Sequence, residues 1–329
     1  MHASFKAFMS RLIDYAGLFP PAELSMAEAF QNYVRYREEP QSWMLSRFIC
    51  PASRLNELHE HRELIHQIKT PIEFSVLTRS GRDKDQFLSG LNQDLNLISD
   101  FKMIYTENVL CNVFEMRLPP LFVNKTSLYN IHSFLDEIAE LIEARGLGQI
   151  TPFYEYPFGE DWKSQIDLVI KAISLHSQAI SKKQFDIYLP AGFKLRCGGV
   201  EPSMFPSAEQ VAFVLHQCKN NKVPLKATAG LHHPIRHYSR EEAVTMHGFI
   251  NVFAAGTFAH HLDLDESQIR EIVEEERAEN FVFSRNFISW KNYSVDTDQI
   301  NQLRSKYLIS FGSCSFDEPS ADSQALSLL

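Results

Sequence analysis

The sequence predicts a single (β/α)8 barrel carrying a C-terminal helical and irregular extension. Three observations predict it. Eight short apolar runs rich in Phe, Ile and Val recur along the 329 residues, at 13–18, 47–50, 72–77, 113–118, 151–156, 193–197, 224–228 and 250–255. Each is short enough for a buried strand, and most meet Gly, Pro, Ser or Asn within a few residues. Amphipathic segments lie between them, and strands alternating with helices pair in parallel through right-handed crossovers. Eight is the number that closes a barrel. The competing open doubly wound sheet calls for a Gly-rich turn after strand one; the turn here, Gly17-Leu-Phe-Pro-Pro, is no dinucleotide fingerprint.

The helical elements follow from their periodicity. The segment 25–37 starts at a Ser cap and carries Met26, Ala29, Phe30 and Val34 on one face. The segment 128–143 bears the stripe Ile131, Phe134, Leu135, Ile138 and Ile142. The segments 162–179, 207–219 and 239–247 read as helices too, with Ser207 and Gln210 forming a capping box. On this reading the barrel occupies 1–262. The remaining 263–329 form an extension packed on it, with charged helices at 268–279 and 297–306.

Composition bounds the function. Hydrophobic residues make up 44% of the chain and charged residues 22%, so a full core is available without staples. The net charge of −9 argues against a nucleic-acid partner, whose phosphates demand an excess of Lys and Arg. No window approaches 18 uninterrupted apolar residues, so no membrane span is expected. Five cysteines without a C-x-x-C suggest neither a disulfide framework nor a zinc knuckle. The N-terminus lacks a secretory core, and the expected location is cytoplasmic.

Two lysines stand out because they interrupt apolar strands. Lys194 lies in Phe193-Lys-Leu-Arg-Cys-Gly-Gly on strand six, and Lys226 lies in Leu225-Lys-Ala-Thr-Ala-Gly-Leu on strand seven. On adjacent strands at equal height, two ammonium groups roughly 5–6 Å apart repel by about 3 kcal/mol at an effective dielectric near 20. One amine is then partly neutral, which attack on a carbonyl requires. Arg196 shares a strand face with Lys194 and can clamp a carboxylate or phosphate. Gly198, Gly199, Gly230 and Gly256 follow the strands and leave backbone N–H groups open to an anion. Asp14, Glu115 and Glu155 fall on strands one, four and five; each suits a proton shuttle, or a partner that keeps a lysine charged. His232, in a cluster with His233 and His237, suits a proton shuttle or a hydrogen-bond donor. Adjacent histidines point opposite ways on extended chain, so no metal site is assigned and no cofactor is called for. Cys197, beside Arg196, reads as a buried inert thiol.

Several of these segments resemble the deoxyribose-phosphate aldolase family of class I aldolases. Leu12-Ile-Asp-Tyr-Ala-Gly-Leu-Phe-Pro-Pro-Ala resembles its first strand and Ile49-Cys-Pro-Ala-Ser-Arg its second. Phe193-Lys-Leu-Arg-Cys-Gly resembles the strand bearing the Schiff-base lysine, and Lys226-Ala-Thr-Ala-Gly-Leu the strand after it. The resemblance implies that Lys194 forms the imine, that Lys226 lowers its pKa, and that Asp14 and Glu115 assist proton transfer. It also implies that Gly198, Gly230 and Gly256 lie near the anion. The chain departs from the family in Arg196-Cys, in Ala229-Gly230 and in His232-His-Pro, which points to a different carbonyl substrate. The expected activity is therefore a Schiff-base lyase acting on a small anionic metabolite; self-association into a homo-oligomer is left open. Two alternatives stand beside it. One is a barrel hydrolase or isomerase using Glu115, Glu155 and His232, with or without a metal. The other is a barrel that binds a metabolite without turning it over.

Overall fold

The computed structural model describes residues 1–124, 126–182 and 190–329. Eight parallel strands close into a barrel: Ile13–Tyr15, Leu45–Pro51, Ile72–Leu77, Val109–Arg117, Thr151–Glu155, Gly192–Arg196, Leu225–Thr228 and Leu308–Ser313. Each neighbours the next in the chain, and the eighth closes on the first. Helices alternate with them, so the chain is a (β/α)8 TIM barrel, with further sheets and helices toward its C-terminus. Among the described residues no helix is long and apolar enough to cross a membrane.

By density of contacts the chain falls into two units. The first comprises Met1–Glu23, Asn32–Ser46 and Leu195–Leu329. Its aromatic core stacks Phe249 on Phe311 at 5.3 Å and sets Phe5 edge-on to Phe283 at 5.0 Å. A buried arginine, Arg304, donates to the carbonyls of Phe8, Ser10 and Ile309, joining the N-terminal helix Ala3–Met9 to strand eight. Three charge-assisted bonds offset the desolvation of one guanidinium. The second unit comprises Leu24–Gln31 and Arg47–Lys194. Its core runs from Phe30 through Phe48 and Phe74 to Phe101, with successive ring centroids 5.9, 6.0 and 5.3 Å apart.

Helices predicted from periodicity form at Met26–Tyr36, Leu128–Glu143, Trp162–Lys182 and Thr297–Lys306. Helix Ala208–Asn220 starts at the Ser207–Gln210 capping box. The charged segment predicted at 268–279 is helical over Glu266–Val273.

Two expectations are corrected. The apolar run at 250–255 is not strand eight but lies inside the helix Phe249–Leu262. That helix is buried through eleven consecutive residues, Phe249 to Ala259, so it shows no amphipathic stripe and reads as a strand. The eighth strand is Leu308–Ser313, within the stretch expected to lie outside the barrel. The same stretch carries a three-stranded sheet over Phe281–Phe283, Phe287–Trp290 and Tyr293–Asp296. The second correction concerns 239–247, expected as a helix. It contributes to a two-stranded antiparallel ribbon, His237–Ser239 against Val244–Met246, where Val244, Thr245 and Met246 supply a β-branched pair and an apolar end.

Candidate functional site

The barrel interior carries charge where branched aliphatic residues ordinarily fill such a core. In the second unit, Lys194 is 5% exposed and is held by two carboxylates: its Nζ lies 2.8 Å from Glu115 Oε2 and 2.9 Å from Glu155 Oε2. Strand register sets Glu155 directly beside Lys194, while Glu115 reaches it from strand four. Ser75 donates to the other oxygen of Glu115 at 2.6 Å. Glu115 is thus bound at both oxygens, and its carboxylate plane is fixed.

This geometry corrects the expected protonation. Burial works to lower the Lys194 pKa, but Glu115 and Glu155 outweigh it and raise the pKa above the usual lysine value. The resting amine is an ammonium held between carboxylates, not an amine neutralised by a second cation. Carboxylates that keep a lysine charged were one of the two roles open to Glu115 and Glu155, and that is the role the contacts fit.

Lys226 forms an ion pair in the first unit. Its Nζ lies 2.7 Å from Asp14 Oδ2, and both residues are fully buried. Ser310 on strand eight donates to the same Asp14 oxygen at 2.7 Å. Neither serine was singled out from the sequence. Ser75 had a signal: it lies two residues from Glu73 and Leu77 in a strand, on one face. Ser310 had none once strand eight was placed elsewhere.

Exposure rises toward the strands' C-terminal ends. Lys194 is followed two residues on by half-buried Arg196, and Lys226 by half-buried Thr228. These ends are where TIM-barrel enzymes carry their reacting groups. Gly198 and Gly230 sit just past them, and the structure gives both a packing role. A Cβ on Gly198 would stand 2.7 Å from Gly230 Cα, and a Cβ on Gly230 would stand 2.7 Å from the Cys197 carbonyl oxygen. Gly230 also has φ +68°, directly after Ala229 at φ 56°. The Gly230→Ala variant is therefore expected to lose about 2 kcal/mol or more, from left-handed strain plus the backbone clash. Denaturant unfolding checks it; an unchanged midpoint would contradict the close approach. A Cβ on Gly199 would first meet the Met204 side chain.

Gly256 moves away from any anion site. It lies inside the helix Phe249–Leu262, packed so tightly that a Cβ would sit 2.7 Å from Leu308 Cδ2. His260 is in the last turn of that helix and stacks on Tyr307 at 4.7 Å; burial lowers its pKa to about 4. Cys197 is buried and its thiol pKa is raised by that burial, which makes it inert. His233 pairs with Asp322 at 2.6 Å. His232, after strand seven, faces Cys314 and Glu318. Among the described residues, no group of three or more His, Cys, Asp or Glu side chains is placed to hold a metal ion.

No family model matches the chain, and no curated protein sequence matches it. Among solved structures, the tetrameric deoxyribose phosphate aldolase from Aeropyrum pernix aligns with a TM-score of 0.43 at 11% identity, over 76% of this chain and 84% of that one. The class rests on the topology itself: a closed eight-stranded parallel barrel with charged groups in its interior.

Proposed function

We propose that this barrel is a Schiff-base lyase acting on a small anionic carbonyl compound, with Lys194 as the nucleophile. The observation that carries the reading is Lys194 Nζ held 2.8 and 2.9 Å from Glu115 and Glu155 inside the barrel. Three buried charges of this kind cost several kcal/mol of desolvation per ion before pairing. Groups retained against that cost, with perturbed pKa values, concentrate at functional sites.

The same geometry supplies the chemistry. An ion pair and its neutral form differ by one proton moved along a hydrogen bond. When a carbonyl substrate displaces solvent, transfer from Lys194 to Glu155 or Glu115 leaves a neutral amine beside a carboxylic acid. The amine nitrogen attacks the carbonyl carbon. The acid protonates the oxygen to a hydroxyl; the nitrogen then gives a proton back to the carboxylate, which passes it to the hydroxyl, so that water leaves as the iminium forms. The carboxylate then takes the proton of the substrate's β-hydroxyl, that carbon leaves as an aldehyde or ketone, and the iminium takes up the electron pair of the broken C–C bond to become an enamine. Glu115, fixed by Ser75, serves as the oriented proton carrier. Arg196, two residues along the same strand face, binds the substrate's anionic group. Lys194 rather than Lys226 is the nucleophile because Lys194 retains 5% exposure and Lys226 none.

The test is a screen for C–C cleavage and condensation on small phosphorylated and carboxylated aldehydes and ketones. Glu115→Gln is expected to lower kcat by about 10²–10⁴-fold, the usual worth of one positioned proton carrier. Activity that survives in Lys194→Ala, or that needs no carbonyl in its substrate, would move the assignment to a carboxylate-based hydrolase or isomerase.

A further inference from the structure

Cys314 follows the last residue of strand eight, and His232 stands in the loop after strand seven. The two strands pair in parallel, with Gly312 level with Thr228. Both residues therefore leave from the C-terminal ends of neighbouring barrel strands, the end where barrel enzymes place reacting groups. His232 Nδ1 lies 3.7 Å from Cys314 Sγ, and Glu318 Oε2 lies 3.4 Å from the same nitrogen. Burial opposes charging the imidazole, but the sulfur and the carboxylate outweigh it and push the His232 pKa up to about 10. The ring holds its proton at neutral pH. At the other four cysteines burial dominates: it raises the thiol pKa of Cys50, Cys111, Cys197 and Cys218, against smaller opposing pulls from Arg54, Lys102 and Arg196 on the first three. A sulfur in contact with a cationic imidazole is the arrangement that makes a thiol nucleophilic.

We propose that Cys314 and His232 form a nucleophilic dyad at the strand ends that reacts with small hydroperoxides, Cys314 becoming a sulfenic acid. Size sets the class of electrophile: Cys314 is 9% exposed, which admits a molecule of a few atoms and shuts out bulky reagents. With the dyad's proton on His232, a sulfur lone pair attacks one peroxide oxygen and the O–O bond breaks. Sulfur loses two electrons, and the departing oxygen gains them. That oxygen takes the imidazolium proton and leaves as water or an alcohol. Glu318 compensates the charge of His232 before the step.

The experiment treats the full chain with hydrogen peroxide at neutral pH, quenches at intervals, and maps the peptides by mass. The expected first product is a gain of one oxygen on the Cys314 peptide, ahead of the other four cysteines. His232→Gln is expected to slow that gain by about tenfold or more, because the departing oxygen then lacks the imidazolium proton. Oxygen uptake spread evenly over the cysteines, or an unchanged rate at Cys314 in folded His232→Gln, would overturn the dyad. If His232→Gln does not fold, the wild-type ranking decides. Cys314 reacting no faster than the cysteine of a short unstructured peptide overturns it equally.

Discussion

Replacing Lys194 with Met should cost about 3–5 kcal/mol of stability at neutral pH, the usual penalty for removing one partner of a buried ion pair. Glu115 and Glu155 would then face each other at the site of the lost ammonium, both desolvated. The loss should depend on pH with a definite sign. Desolvated carboxylates that lose a shared ammonium hold their protons to higher pH in the folded state. The penalty is therefore absent below the unfolded carboxylate pKa, near 4.3, and grows as pH rises above it. Urea unfolding of wild type and Lys194→Met at pH 4 and pH 8 checks it. Curves separated equally at both pH values would contradict the pairing seen at 2.8 and 2.9 Å.

The second large effect concerns the fully buried Asp14–Lys226 pair. Asp14→Leu and Lys226→Met should each lose about 3–5 kcal/mol, since each removes one partner of a buried ion pair. Lys226→Met leaves Asp14 with the Ser310 hydroxyl, a neutral donor that cannot replace an ammonium. The double variant should recover most of the loss, because apolar residues of similar volume substitute for a buried ion pair at little cost. Singles and double falling additively would show that the two side chains do not interact. The double variant also separates structure from chemistry: folded and active, it would make the pair structural; folded and inactive, it would give the pair a part in the reaction.

Seven of the eight barrel strands were legible because each is a short apolar run between turn residues, and strand three spans the predicted 72–77 to the residue. The eighth was missed for a physical reason. A helix buried on every side, Phe249–Leu262, outscores the true strand in apolar density. Leu308–Ser313 has Ser310, Gly312 and Ser313 among its six residues, and Ser310 meets Asp14 rather than an aliphatic side chain. The same miss hid Ser310 and Cys314, which become site candidates only once that strand is in the barrel. Lys194, Lys226, Asp14, Glu115 and Glu155 were legible for the opposite reason: a charge inside an apolar run has no bland placement. Their partnering was not. Sequence order brings the two lysines onto adjacent strands and suggests mutual repulsion, whereas the folded chain gives Lys194 two carboxylates and Lys226 a third. Which of several interior charges meet depends on side-chain height and reach, which strand spacing alone does not set.

The measurement that bears most directly on the proposed chemistry is borohydride trapping. The protein is incubated with a panel of small aldehydes and keto acids, reduced, and mapped by intact mass and peptide mass. The account predicts a covalent adduct on Lys194 with at least one anionic carbonyl, reduced about tenfold or more in Glu115→Gln and lost in Lys194→Ala. A folded protein that yields no adduct across the panel, or one on Lys226 or surface lysines alone, would contradict it.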